Sequence, residues 1–121
     1  GCVTLAGYCS DAQNWLHKAH VYVLTSDWEG VPVAVLEAMA AGLPVIATKA
    51  GGVIDILENG KNAILTEVGD EDAIAAAMVQ LAREPETRLD FSRQSEALSF
   101  RYGIGHCASE YVKLYLKEEP V

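Results

Sequence analysis

Four short apolar runs, at residues 2–6, 21–24, 44–48 and 63–65, lack the polar alternation of a half-exposed strand, and helix-like stretches separate them. A strand that is apolar on both sides has to be covered on both sides, as in a parallel sheet packed between helices. Crossovers between such strands are right-handed, so few topologies remain. Glycine and proline punctuate the pattern where it changes. Gly7 ends the first run, Gly42 ends a helix over 33–41, Gly51-Gly52 and Asn59-Gly60 make turns, and Pro85 separates two helices.

The helical segments follow from caps and spacing. Ser10 or Asp11 caps a helix through Ala19 that presents Trp15 and Leu16. Pro32 stands where a first helical residue would, since its missing N–H costs nothing there. A short helix covers 54–57, and Asp70 caps a longer one to Arg83 with Ile74, Met78 and Leu81 at helical spacing. Two more run over 85–98 and 105–117. The expected fold is α/β: a Rossmann-like, doubly wound parallel sheet of about four strands, with helices on both faces and a helical carboxyl-terminal end. The 121 residues suit one domain spanning 1–121.

Charge narrows the function. A net charge of −8 argues against nucleic acid as a partner, because phosphate backbones are met with Lys and Arg. Cys2, Cys9 and Cys107 have no zinc-like spacing and are read as reduced thiols of a cytoplasmic protein. No apolar run is long enough to span a bilayer. The chain opens on Gly1 rather than Met, which suggests a boundary inside a longer polypeptide or a remnant of tag removal.

Ligands of such sheets bind outside the carboxyl ends of the strands. That rule selects the loops at 25–32 and 49–52. The first loop feeds a helix whose early N–H groups, near Val33 to Val35, and positive dipole end suit an anion. Gly30 admits close backbone approach. Glu29 before the helix and Glu37 inside it can each accept two hydroxyl hydrogen bonds, which suits vicinal diols of a sugar or ribose. Taken singly, either glutamate is as well explained by the helix dipole or by solvent.

The string SDWEGVPVAVLEAMAAGLPVIA at 26–47, with Gly51-Gly52 and Asn59-Gly60 after it, resembles the E-x7-E signature of retaining, GT-B-fold glycosyltransferases of family GT4. Leu5-Ala6-Gly7 and the run ending Val21-Tyr22-Val23 fit the same pattern. The resemblance implies the carboxyl-terminal, donor-binding portion of a hexosyltransferase that uses a nucleoside-diphosphate sugar without a metal cofactor. It implies that Glu37 binds the ribose hydroxyls and that Glu29, the catalytic-site glutamate, contacts hydroxyls of the donor sugar. Amides near Val33 and Ala34 would hold the diphosphate, with Gly30 and Pro32 shaping the approach. The Arg and Lys that such enzymes use to aid leaving-group departure lie before the region present here, as does the acceptor-binding domain. Transfer by this chain alone is therefore not expected, and any membrane association would come through the longer protein.

Other residues have plainer readings. Asp70-Glu71-Asp72 has the D-x-D form of a manganese site but opens a helix, where capping accounts for it. Lys49 is either solvated or near a phosphate, and Trp28 either borders the sugar pocket or packs. His17, His20 and His106 lack ligand spacing. Asp55 stands where the family has Glu, and Ala63 where it has Gly. The last helix is either core or an interface with the absent domain, and its apolar side predicts self-association of the isolated chain. Two other functions compete: a stand-alone nucleotide-sugar-binding regulatory module, and a receiver-like or nucleotide fold without sugar chemistry. The latter needs a phosphate loop or acidic cluster after the first strand, and Cys9-Ser10-Asp11 supplies neither.

Overall fold

Burial on both faces of the central strand organises the molecule. The computed structural model describes residues 2–116. Its sheet has three parallel strands, β1 (Tyr22–Leu24), β2 (Val45–Thr48) and β3 (Ala63–Thr66), in the order β1-β2-β3. Val23 lies opposite Ile46, and Ile46 opposite Ile64. Val45, Ile46 and Ala47 of β2 are 0% exposed and Thr48 1%, which is why that run shows no alternation. Six helices accompany the sheet: α1 (Ala12–Leu16), α2 (Val33–Ala40), α3 (Val53–Ile56), α4 (Glu71–Arg83), α5 (Pro85–Ser99) and α6 (Ile104–Leu116).

The helices cover the sheet from two sides. Val35 and Met39 of α2, with Leu98 of α5, pack on the face shown by Val45 and Ala47. Ala77 and Leu81 of α4, with Phe91 of α5, pack on Ile46 from the other side. Each of the buried Val, Leu, Ile, Met and Phe side chains among these contributes roughly 1.5–3 kcal/mol. Asp70 accepts the Ala73 N–H at 2.9 Å, so its role is the cap of α4.

Gly42 fixes the exit from α2 and hence the start of β2. Its φ is +72°. The Gly42 N–H donates to Met39 and the Leu43 N–H to Ala38, both at 2.9 Å, the paired bonds of a Schellman ending. An added β-carbon would meet only Ser92 Oγ at 3.5 Å, an ordinary contact. The cost of Gly42→Ala is therefore conformational. We expect a loss of about 1–2 kcal/mol in urea unfolding, with an unchanged fold by circular dichroism.

Three sequence expectations are corrected. The sheet has three strands among the described residues, because residues 2–6 pair with no strand; Val3 and Leu5 are 83% and 94% exposed. An apolar run becomes a strand only where a sheet edge accepts its backbone, and none meets this one. Helix α1 stops at Leu16 rather than Ala19; it buries no residue, so no packing energy extends it. Helix α6 begins at Ile104 after a 3₁₀ turn at Phe100–Tyr102, and the expected end at Lys117 lies outside the described residues. No residue of α6 is buried, and Tyr111, Leu114 and Tyr115 are 58%, 63% and 84% exposed, so the core reading of that helix fails.

Candidate functional site

The loop at 25–32 leaves the carboxyl end of β1 and enters α2 at Val33. Pro32 is the cap residue of α2 rather than its first helical residue. Its φ of −76° and ψ of 83° make an inverse γ-turn, in which the Val33 N–H donates to Val31 O at 2.9 Å. The Val35 N–H donates to Pro32 O at 2.9 Å. The expectation that the Val33 amide serves an anion is thereby corrected: the turn has already satisfied it. The Gly30, Val31 and Ala34 N–H groups, like those of residues 26–29, make no hydrogen bond among the described residues. Proline thus trades one helix-start donor for a rigid entry and leaves the neighbouring donors free.

The two glutamates differ in how they are held. Glu29 is half-buried, and its Oε1 accepts the Ser26 hydroxyl at 2.6 Å, which leaves Oε2 for another donor. Glu37 is exposed on the next turn of α2 and lines a cavity of about 290 Å³ with Ala34, Tyr22, Trp15 and Cys9. That cavity is mostly apolar, with one carboxylate at its wall and two aromatic rings, a shape that suits a flat ring joined to a diol.

Tyr22 is the residue that sequence reasoning missed. Burial and then the charges of Glu29 and Glu37 raise its phenol above the ordinary value of 10.0. Both carboxylates thus lie on the side of the molecule that the phenol faces, Glu37 lining the same cavity as Tyr22. The available signal was a hydroxyl-bearing aromatic inside an otherwise aliphatic strand. A raised acid stays neutral to higher pH, so it favours the fold below its unfolded value and loses that contribution as pH climbs through the folded one. Glu29→Gln and Glu37→Gln should each move this ionisation down toward its ordinary value. Ultraviolet difference titration against a Tyr22→Phe reference reads the shift directly.

Other candidates resolve differently. Lys49 pairs with Glu67, both side chains being solvent-exposed, so it does not reach toward the free amides. Such an exposed pair is worth little in stability. Trp28 is 80% exposed, so the packing alternative fails. His17 Nδ1 lies 2.7 Å from Gln13 O, a contact within its own helix turn. Among the described residues no group of three or more His, Cys, Asp or Glu could hold a metal ion. No described helix is long and apolar enough to cross a membrane. The three cysteines are free.

A parallel sheet with two carboxylates around a helix start, at the strands' carboxyl ends, is the layout of a Rossmann-like ligand-binding domain. The chain belongs to the glycosyl transferases group 1 family, whose model matches residues 1–84. It is 33% identical over 113 residues to the putative glycosyltransferase EpsD of Bacillus subtilis, covering 93% of this chain and 30% of that protein. The carboxyl-terminal domain of LpcC, a glycosyl transferase group 1 family protein of Francisella tularensis, superposes with a TM-score of 0.74 at 27% identity over 84% of this chain and 53% of that one. HepE of Anabaena, solved with UDP-glucose, shares the GT-B fold at a TM-score of 0.83 and 23% identity, over 90% of this chain and 30% of that one. The chain spans 30% of the length of EpsD and 34% of that of LpsE of Rhizobium meliloti, a lipopolysaccharide core biosynthesis glycosyltransferase.

Proposed function

We propose that this chain is the donor-binding portion, residues 1–121, of a retaining glycosyltransferase that moves a hexose from a nucleoside-diphosphate sugar to a glycan, lipid or small-molecule acceptor in the cytoplasm. The observation that carries the reading is the placement of Glu37 in an apolar cavity at the start of α2, with Glu29 held by Ser26 on the loop that leads into the same helix. Glu37 takes the ribose hydroxyls, and the apolar cavity beside it takes the base. Glu29, oriented by Ser26, takes hydroxyls of the donor sugar. The Gly30, Val31 and Ala34 amides face the diphosphate between them, with Pro32 holding the turn. This arrangement calls for no metal ion. Positive charge to stabilise the departing phosphate comes from outside these residues, since Lys49 is engaged by Glu67.

The exposed apolar side of α6 is where an acceptor-binding domain of a longer protein would rest. The scarcity of cations at the site also fits a second reading, a stand-alone module that binds a nucleotide sugar without transferring it. Calorimetric titration of the full-length protein with UDP, GDP and ADP, followed by a radiolabelled-sugar transfer assay, tests both. Binding with turnover supports the transferase, binding without turnover the module, and no binding of any of the three contradicts the donor site.

A further inference from the structure

The loop after β2 lies directly on the loop that carries Glu29. The Thr48 hydroxyl donates to the Ser26 carbonyl at 2.5 Å, and Thr48 is 1% exposed. Ser26 in turn donates its hydroxyl to Glu29 Oε1 at 2.6 Å. The Gly52 N–H donates to the Glu29 carbonyl at 3.3 Å. Space between the loops is exhausted. A β-carbon on Gly51 would stand 1.9 Å from the Glu29 carbonyl oxygen, and one on Gly52 2.0 Å from that of Gly30. The obstructing atoms are backbone, so neither contact relaxes unless a loop moves.

The two glycines are required for different reasons. Gly51 has φ +49°, a conformation that favours glycine anyway. Gly52 has φ −66°, which any residue adopts, so contact with Gly30 alone excludes a side chain there. We infer that Thr48, Gly51 and Gly52 are positioning residues that fix where the Glu29 carboxylate stands, and so set how well the site distinguishes a nucleoside-diphosphate sugar from the bare diphosphate. This rests on the donor-sugar reading of Glu29. Glu37 is carried by α2 itself, so the ribose contact does not depend on the clamp.

The test is a ratio rather than an affinity. Calorimetry on the full-length protein compares UDP-glucose, GDP-mannose and ADP-glucose with UDP, GDP and ADP, in wild type, Glu29→Gln, Gly52→Ala, Thr48→Val and Gly60→Ala. Gly60 has φ +77° and nothing within 4 Å of an added β-carbon, so its variant carries backbone strain without a clash. For the nucleotide that binds, Gly52→Ala should shift the sugar-to-diphosphate affinity ratio about tenfold against the sugar, and Thr48→Val about threefold. Diphosphate affinity should stay within about threefold. Gly60→Ala should lower the melting temperature and leave the ratio unchanged, which a merely structural role for Gly52 would also do. Should Gly52→Ala not fold, Thr48→Val decides by the same ratio. If Glu29→Gln lowers the ratio while Thr48→Val and any folded Gly52→Ala leave it alone, the clamp inference is overturned and the donor reading stands. If Glu29→Gln leaves the ratio unchanged, the reading of Glu29 falls, and the inference with it.

Discussion

Glu37→Gln should weaken binding of the nucleoside diphosphate and of its sugar conjugate alike, by about a hundredfold. Two charge-assisted hydrogen bonds to ribose hydroxyls are each worth roughly 1.5–3 kcal/mol, and about 3 kcal/mol in sum corresponds to that factor. The glutamine keeps the shape of the side chain but not its charge. Glu37 is exposed and makes no ion pair among the described residues, so unfolding free energy should change by less than about 0.5 kcal/mol. Calorimetric titration of the variant, beside its urea unfolding curve, checks both parts. Equal loss for both ligands is the signature that separates ribose binding from sugar binding.

Glu29→Gln should behave oppositely. Diphosphate affinity stays within about threefold of wild type, while kcat/KM for sugar transfer by the full-length protein falls about a hundred- to a thousandfold. The difference follows from placement. Glu29 stands before the helix on a loop, half-buried, with Oε1 taken by Ser26 and the other oxygen free for the sugar. Steady-state kinetics with saturating acceptor, set against diphosphate binding, measures the two quantities separately. A variant that loses both equally would place Glu29 in the nucleotide subsite instead.

Much of the fold could be read from local chemistry. The apolar β2 run, the Gly42 ending of α2 and the Asp70 cap of α4 are each set by residues within a few positions, and each formed where local rules put it. Residues 2–6 did not form a strand, because strand formation is decided by a partner edge and not by the run itself. Helix α6 shows the same limit. Its amphipathic pattern says that a face exists but not what covers it, and nothing among the described residues does.

The candidate site divides along the same line. Glu29 and Glu37 stand out together because they flank one helix start at a strand's carboxyl end and because the string around them resembles the E-x7-E signature; either alone does not. Tyr22 does not, since its place in one cavity with Glu37 depends on how β1 sits beside α2. The Val33 amide departs from expectation for a finer reason. Proline at the cap turned that N–H back onto Val31, a distinction set by one ψ angle of 83°. The pressure of Gly51 and Gly52 on the Glu29 loop is a long-range contact, visible only once the sheet sets the loops side by side.

If one strand-loop-helix unit grips the donor nucleotide, the amide chemical shifts of that unit report it. An isotopically labelled sample of this chain titrated to millimolar UDP, GDP or ADP should shift the amides of residues 26–37, with Gly30, Val31, Ala34 and Glu37 among the largest. Shifts confined to other regions, or none with any of the three nucleotides while the spectrum remains that of a folded protein, would mean that this unit does not hold the donor nucleotide.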